Sequence, residues 1–267
     1  MLEILREFFG LGEKGYTRPA DGAYSAPHLI IVAIFVTAMV GLGLWLGLRN
    51  RKRDDKTKTK VLIVAAILID SLELIKIVIN CINSGWGAIL TNLPLFLCSI
   101  QLIVLPVAAF SKGRIKEAAI DFVLIFGLLG GVLGIVGAAQ NYNAYPAVSF
   151  TNLVSAATHS ISGFASIYIA ASGMFTLKKK NYLITNGILL VFVVLALIAN
   201  ELIPYNYMFL KSHDGTPYSI FYNMVGGNPI FYPIIVVGVF VIWIFGFYGV
   251  KWLVDASKKP AAQNSQK

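Results

Sequence analysis

At 267 residues, 57% hydrophobic and 13% charged, with a mean hydropathy of +0.73, the chain has too little polar surface to be a soluble globule. The net charge of +9 would suit a nucleic-acid partner. Its cations instead collect in alternate loops between apolar runs, the positive-inside pattern of a membrane protein, so nucleic-acid binding is excluded.

Apolar runs of about 20 residues, enough for a helix to cross a hydrocarbon core of roughly 30 Å, recur seven times. They cover 27–48, 61–82, 93–110, 119–138, 151–177, 182–203 and 229–254. The expected fold is an all-α membrane protein, a seven-transmembrane-helix bundle in the cell membrane. Of the 22 Lys and Arg residues, 17 lie after spans 1, 3 and 5 or from the last turn of span 7 onward, against Arg6, Lys14, Arg18 and Lys211 in the other loops and Lys76 inside span 2. This places the N-terminus outside and the C-terminus in the cytoplasm.

Residues 1–26 carry no signal-peptide pattern. Ile4, Leu5, Phe8, Phe9 and Leu11 make a short amphipathic run, expected on the outer interface or folded over the bundle. His28, after Pro27, stands at the mouth of span 1 as an interfacial histidine bordering a polar cavity. The loop 49–60 is strongly cationic and suits a solvated linker beside anionic headgroups.

In span 2, Asp70, Glu73, Lys76 and Asn80 fall at 0, +3, +6 and +10, which confines them to roughly a third of the helix circumference. Each intramembrane charge costs at least about 2.5–3.5 kcal/mol, so this face must meet protein or water. Glu73 and Lys76 are spaced to pair, either fixing helix packing or serving a site. Span 3 opens on Pro94 at a helix start, with Cys98 and Gln101 three apart on one face. Span 4 holds Gly127, Gly130, Gly131, Gly134 and Gly137, whose 127–131 and 130–134 spacings match the small-xxx-small packing pattern. The outer loop 139–150 is polar and aromatic enough to rim a cavity.

Span 5 sets Ser155, His159 and Ser162 on one face, with Thr158 beside them. Spans 3 and 5 both run inward, so Cys98 and His159, six and nine residues in, lie roughly 9 and 13 Å from the same surface at 1.5 Å per residue. They can meet at one depth. Span 6 ends in Asn200, Glu201, Pro204, Tyr205, Asn206 and Tyr207, and a loop of about 25 residues follows that is too aromatic for disorder, expected as a lid over the outer mouth. Residues 255–267 read as a disordered cytoplasmic tail. No phosphate loop, no paired Cys/His spacing for zinc and no requirement for any cofactor are evident.

The run Leu93-Pro94-Leu95-Phe96-Leu97-Cys98, the Thr158-His159 pair followed by Gly163, and Asn206-Tyr207-Met208-Phe209-Leu210 together resemble the YwaF-like family of bacterial integral membrane proteins. Members of that family commonly have histidine where Phe96 stands and an acidic residue where Ser99 stands. The family is more distantly similar to eukaryotic membrane acyltransferases that move fatty acyl groups between phospholipids. The resemblance implies that Cys98 is a nucleophile and His159 its base, with membrane lipids as acyl donor or acceptor.

The chemistry is consistent with that pairing. A thiol becomes a strong nucleophile when a base takes its proton, and the acyl thioester can pass to a lysolipid hydroxyl or to water, giving a lipid acyltransferase or an acyl hydrolase. Gln101, Asn200, Tyr207 or a backbone N–H can stabilise the oxyanion, Glu73 or Glu201 can orient the imidazole, and His28, Lys76 and Asn206 complete the polar cavity. Two other readings stand beside it. Cys81 and Cys98 can form a disulfide, and Asp70, Glu73, Lys76, His159 and Glu201 can line a pathway for an ion or small solute.

Overall fold

The structure, a computed structural model, describes residues 1–12 and 15–258, and among these the chain is helical with no strand. Most of the expected tail, from residue 259 on, lies outside the described residues. The chain divides into two compact units, Met1–Phe175 and Thr176–Lys267.

The first unit contains α1 (Leu2–Phe9), α2 (Ala26–Asn50), α3 (Asp55–Ser84), α4 (Ala88–Thr91), α5 (Gln101–Phe110), α6 (Gly113–Val136), α7 (Ala139–Ala144) and α8 (Phe150–Ser172). Its centre is α8, which packs against α6, α2 and α3. Close approach on the α2 side comes from Gly47: a Cβ there would sit 2.5 Å from Ala171 Cβ. Lipid gives apolar helices little reason to associate, so interhelical polar contacts matter. Ser166 Oγ donates to Leu124 O at 2.7 Å and Ser162 Oγ to Gly127 O at 3.4 Å, joining α8 to α6.

The N-terminal segment is folded onto this unit. Phe8 and Phe9 pack on Phe150 at the head of α8, while Leu2, Ile4 and Leu5 stay exposed. Glu7 fastens the returning chain. Its carboxylate accepts from the Thr17 and Arg18 backbone N–H groups at 2.9 and 3.0 Å and from Thr17 Oγ1 at 2.7 Å. These donors hold the Glu7 carboxyl well below the usual range, at about 2.

The second unit contains α9 (Tyr182–Leu202), α10 (Ser219–Met224) and α11 (Phe231–Ser257), with single 3₁₀ turns at Lys179–Asn181 and Tyr207–Phe209. Thr185 Oγ1 and Tyr248 OH, 2.8 Å apart and buried, tie α9 to α11. The long loop between them is ordered by its own rings. Tyr222 packs edge-on against Tyr232, whose hydroxyl donates to Phe209 O at 2.8 Å.

Among the described residues, five helical stretches are long and apolar enough to cross a membrane: Ala26–Asn50, Gly113–Ala144, Phe150–Ser172, Lys179–Leu202 and Phe231–Ser257. The protein is an all-α, multi-pass membrane protein. Two of the seven expected spans fall outside this set for physical reasons. The apolar part of α3 is interrupted by Asp70, Glu73 and Lys76, and the third apolar run becomes helical only at Gln101, leaving α5 ten residues long. Pro94 therefore does not open a helix. It lies in an irregular segment, because proline offers no N–H and biases Leu93 away from helical geometry.

Candidate functional site

Cys98 sits in the turn that precedes α5, half-buried, with its Sγ 4.0 Å from Ser99 Oγ. Asn80 of α3 donates to Asn92 Oδ1 at 3.4 Å, and Asn92 donates to Ala88 O at 2.7 Å. The irregular segment carrying the thiol thus starts from a pinned point. Cys81 and Cys98 are both free thiols, so the expected alternative of a disulfide is not realised.

His159 comes from α8, and its ring interacts electrostatically with the Cys98 thiol. Its Nδ1 is 2.7 Å from the Ser155 carbonyl. A carbonyl oxygen can only accept, so Nδ1 carries a proton and Nε2 is the nitrogen left to face the thiol. The two side chains interact, and the chain reaches Cys98 through a turn rather than a helix.

The floor under both residues is α6. A Cβ on Gly130 would lie 3.4 Å from the Cα and Cβ of Cys98. A Cβ on Gly134, one turn further, would lie 1.7 Å from His159 Cδ2 and 2.2 Å from Nε2. Gly134 is therefore the recess that the imidazole occupies, a role the small-xxx-small spacing conceals within ordinary helix packing. Gly131 does what that pattern implies: its Cβ would lie 2.8 Å from Gly163 Cα, backbone against backbone.

The charged face of α3 borders this pair. Glu73 and Lys76 form an ion pair at 2.6 Å, with 12% and 16% of their side chains exposed, and Lys76 acts electrostatically on the His159 ring. Gln101, in the first turn of α5, is fully buried with neither amide atom hydrogen-bonded.

His28 is no interfacial residue in water. It is completely buried, stacked on Tyr142 at 3.8 Å, with Nδ1 accepting from the Tyr24 N–H at 2.9 Å and Nε2 donating to Ile135 O at 3.1 Å. Both ring nitrogens are occupied by backbone, so the side chain clamps α2 to the end of α6.

Asn200, Glu201, Asn206 and Tyr207 belong to the second unit. Asn200 grips the Tyr207 peptide from both sides, its Nδ2 donating to the carbonyl at 3.0 Å and its Oδ1 accepting from the N–H at 2.6 Å. Asn206 Oδ1 accepts from the Lys211 N–H at 2.9 Å, and Glu201, largely exposed, lies 3.5 Å from Lys211 Nζ. Between them Met208 and Phe209 take φ values of 54° and 55°, a left-handed turn that costs free energy for residues with side chains. The asparagines hold that turn. Among the described residues, no group of three or more His, Cys, Asp or Glu is placed to hold a metal ion.

A family model described as the TMEM164 family matches residues 23–249. The chain belongs to the TMEM164 family. This overturns the resemblance to YwaF-like proteins. The three motifs that suggested it are short and built mainly of apolar, aromatic and small residues, the types a bilayer demands of many helical proteins, so they carry little information about descent. No curated protein matches the chain, and no solved structure does. The family match covers α2 to most of α11, and so includes Cys98, His159 and the glycines beneath them.

Proposed function

We propose that this protein is a membrane-embedded acyl-transfer enzyme of the cell membrane, acting on lipids, with Cys98 as nucleophile and His159 as its base. The chain crosses the membrane seven times, α3 and the segment ending in α5 supplying the two crossings beyond the five long apolar helices. The N-terminus is outside and the C-terminus cytoplasmic, as the alternation of cationic loops supports, which sets the pair in the outer half of the bilayer.

One observation carries this reading: the imidazole that meets the thiol has its other nitrogen locked on the Ser155 carbonyl. That arrangement fixes the tautomer a general base requires. In the first half-reaction, Nε2 takes the thiol proton and Sγ bonds the acyl carbonyl carbon. The tetrahedral intermediate collapses by breaking the bond to the lysolipid oxygen, which leaves with the proton from Nε2. In the second, the hydroxyl of an acceptor lipid, or water, gives its proton to Nε2 and displaces the thiolate, which regains a proton. The bilayer itself supplies the acyl donors that this reading needs.

The test uses the full chain in bilayers with an alkyne-tagged fatty acyl ester as probe. Wild type forms a hydroxylamine-sensitive adduct on Cys98, Cys98→Ala forms none, and His159→Ala labels about 10²–10⁴-fold more slowly. Lipid profiles of cells carrying wild type and Cys98→Ala then identify the acyl chain that moves. No adduct on the folded wild type, or equal labelling of His159→Ala, refutes the proposal and leaves a solute pathway as the better account of the polar face.

A further inference from the structure

Acyl chemistry at Cys98 needs a donor for the oxygen that becomes negative when the carbonyl carbon turns tetrahedral. The backbone does not supply it from the start of α5. The N–H groups of Ile100, Gln101, Leu102, Ile103 and Val104 are bonded to Phe96 O, Cys98 O, Ser99 O, Ile100 O and Ile100 O at 2.9–3.4 Å. Asn200, the other amide considered from sequence for this role, already has backbone partners. Gln101 differs from it. It is 0% exposed, and its Oε1 and Nε2 have no hydrogen-bond partner. A buried amide normally finds partners, so one left without them is either a liability or a group reserved for a ligand.

Its place in the chain decides between these. Gln101 follows Cys98 by three residues, and its N–H closes the turn on the Cys98 carbonyl at 3.4 Å. Three residues is about one helical turn, so the carboxamide follows the thiol-bearing residue by one turn, a spacing from which it can reach the oxygen of an acyl group bonded to Sγ.

Resting on the acyl-transfer proposal above, we infer that Gln101 is the oxyanion donor. When Sγ bonds the carbonyl carbon, the carbonyl π electrons move to oxygen and Nε2–H of Gln101 donates to it. When the tetrahedral intermediate collapses, those electrons re-form the C=O bond and the lysolipid oxygen leaves with the His159 proton. Gln101 is a catalytic residue by this account, because it touches the reacting oxygen.

The experiment compares two thiol probes on the full chain in a Cys81→Ser background, so that Cys98 is the thiol being read. A 4-nitrophenyl fatty ester reacts through a tetrahedral oxyanion. Iodoacetamide reacts by displacement of iodide and forms none. In Gln101→Met, which keeps the side chain's length, ester acylation is expected to fall about 10²–10³-fold. Iodoacetamide labelling stays within about twofold of wild type, and the thermal midpoint is unchanged or raised because an unpartnered buried amide has gone. Gln101→Leu, which likewise has no donor, shows the same split between probes. A parallel fall with both probes, together with a lowered midpoint, makes Gln101 a packing residue and overturns the inference, as does acylation that survives in both variants. Wild type that reacts with iodoacetamide but never acylates overturns the acyl-transfer proposal itself, and this inference with it.

Discussion

Gly134→Ala isolates the geometry on which the proposed chemistry depends. The added methyl would sit 1.7 Å from His159 Cδ2, 2.2 Å from Nε2 and 2.5 Å from Cγ. Carbon atoms in contact stand about 3.5 Å apart, so the ring must retreat by about 1.8 Å. It cannot do so and keep its 2.7 Å bond to Ser155 O in good geometry. A 1 Å misplacement of a reacting group costs about 10²-fold. Acylation of Cys98 is therefore expected to slow by about 10²–10³-fold, approaching the rate of His159→Ala, while the helices stay packed. Two neighbours calibrate the effect. Gly130→Ala meets Cys98 at an ordinary 3.4 Å and should cost less than about tenfold. Gly131→Ala meets Gly163 backbone atoms at 2.8 and 3.0 Å, which cannot rotate away, so its loss appears in the thermal midpoint before it appears in rate. Acylation rates and unfolding curves for the three variants form the assay. Gly134→Ala that acylates within about threefold of wild type, or is matched by Gly130→Ala, refutes the recess.

Other consequences are independent of catalysis. Glu7 has its carboxyl held at about 2 against an ordinary 4.5, so the clamp on Thr17 and Arg18 is fully present above pH 4.5 and is lost as the pH falls toward 2. Hydrogen exchange at those two amides, corrected for intrinsic rates, should lose protection between pH 4.5 and 2, and Glu7→Gln should abolish the pH dependence. Asn200→Leu leaves the Tyr207 N–H and C=O without partners at a site 2% exposed and is expected to cost about 2–3 kcal/mol in chemical unfolding, with Asn200→Asp intermediate because it keeps the acceptor. Lys76→Met strands the Glu73 carboxylate and should destabilise by about 3–5 kcal/mol, whereas the joint Glu73→Leu and Lys76→Met replacement should be milder, because it removes both nearly buried charges.

Much of the architecture is legible because a bilayer imposes simple rules. Length and apolarity alone locate the five helical stretches that pass as spans, and the +3 and +6 spacing from Asp70 places Glu73 and Lys76 on the half-buried face of α3. Cys98 and His159 stand six and nine residues into their apolar runs, and the structure couples the two side chains. The irregular segment before α5 is not legible by hydropathy, since Leu93 to Ile100 is as apolar as a span and only Pro94 hints at the break. Nor does local spacing tell what a glycine faces. Gly131 and Gly134 look alike in sequence, yet one meets a backbone and the other an imidazole. His28 is misjudged for a related reason: its partners Ile135 and Tyr142 lie over 100 residues away.

Two features around Cys98 run against ordinary packing economy, and they do so together. A buried carboxamide without partners is a stability cost that apolar replacement would remove. A glycine inside α6 costs about 1 kcal/mol of helix propensity relative to alanine. Gly131 recovers that cost by letting α6 approach Gly163 of α8, but Gly134 gains room for a polar ring instead. Folding alone would favour filling the recess and replacing the amide. Departures of this kind concentrate where function requires a geometry that stability does not favour. Gly134 faces the imidazole and Gln101 follows Cys98 by three residues, and that conjunction is what supports the proposed chemistry. The equally buried His28, with its two nitrogens and its stacked ring fully satisfied, reads as built for the fold.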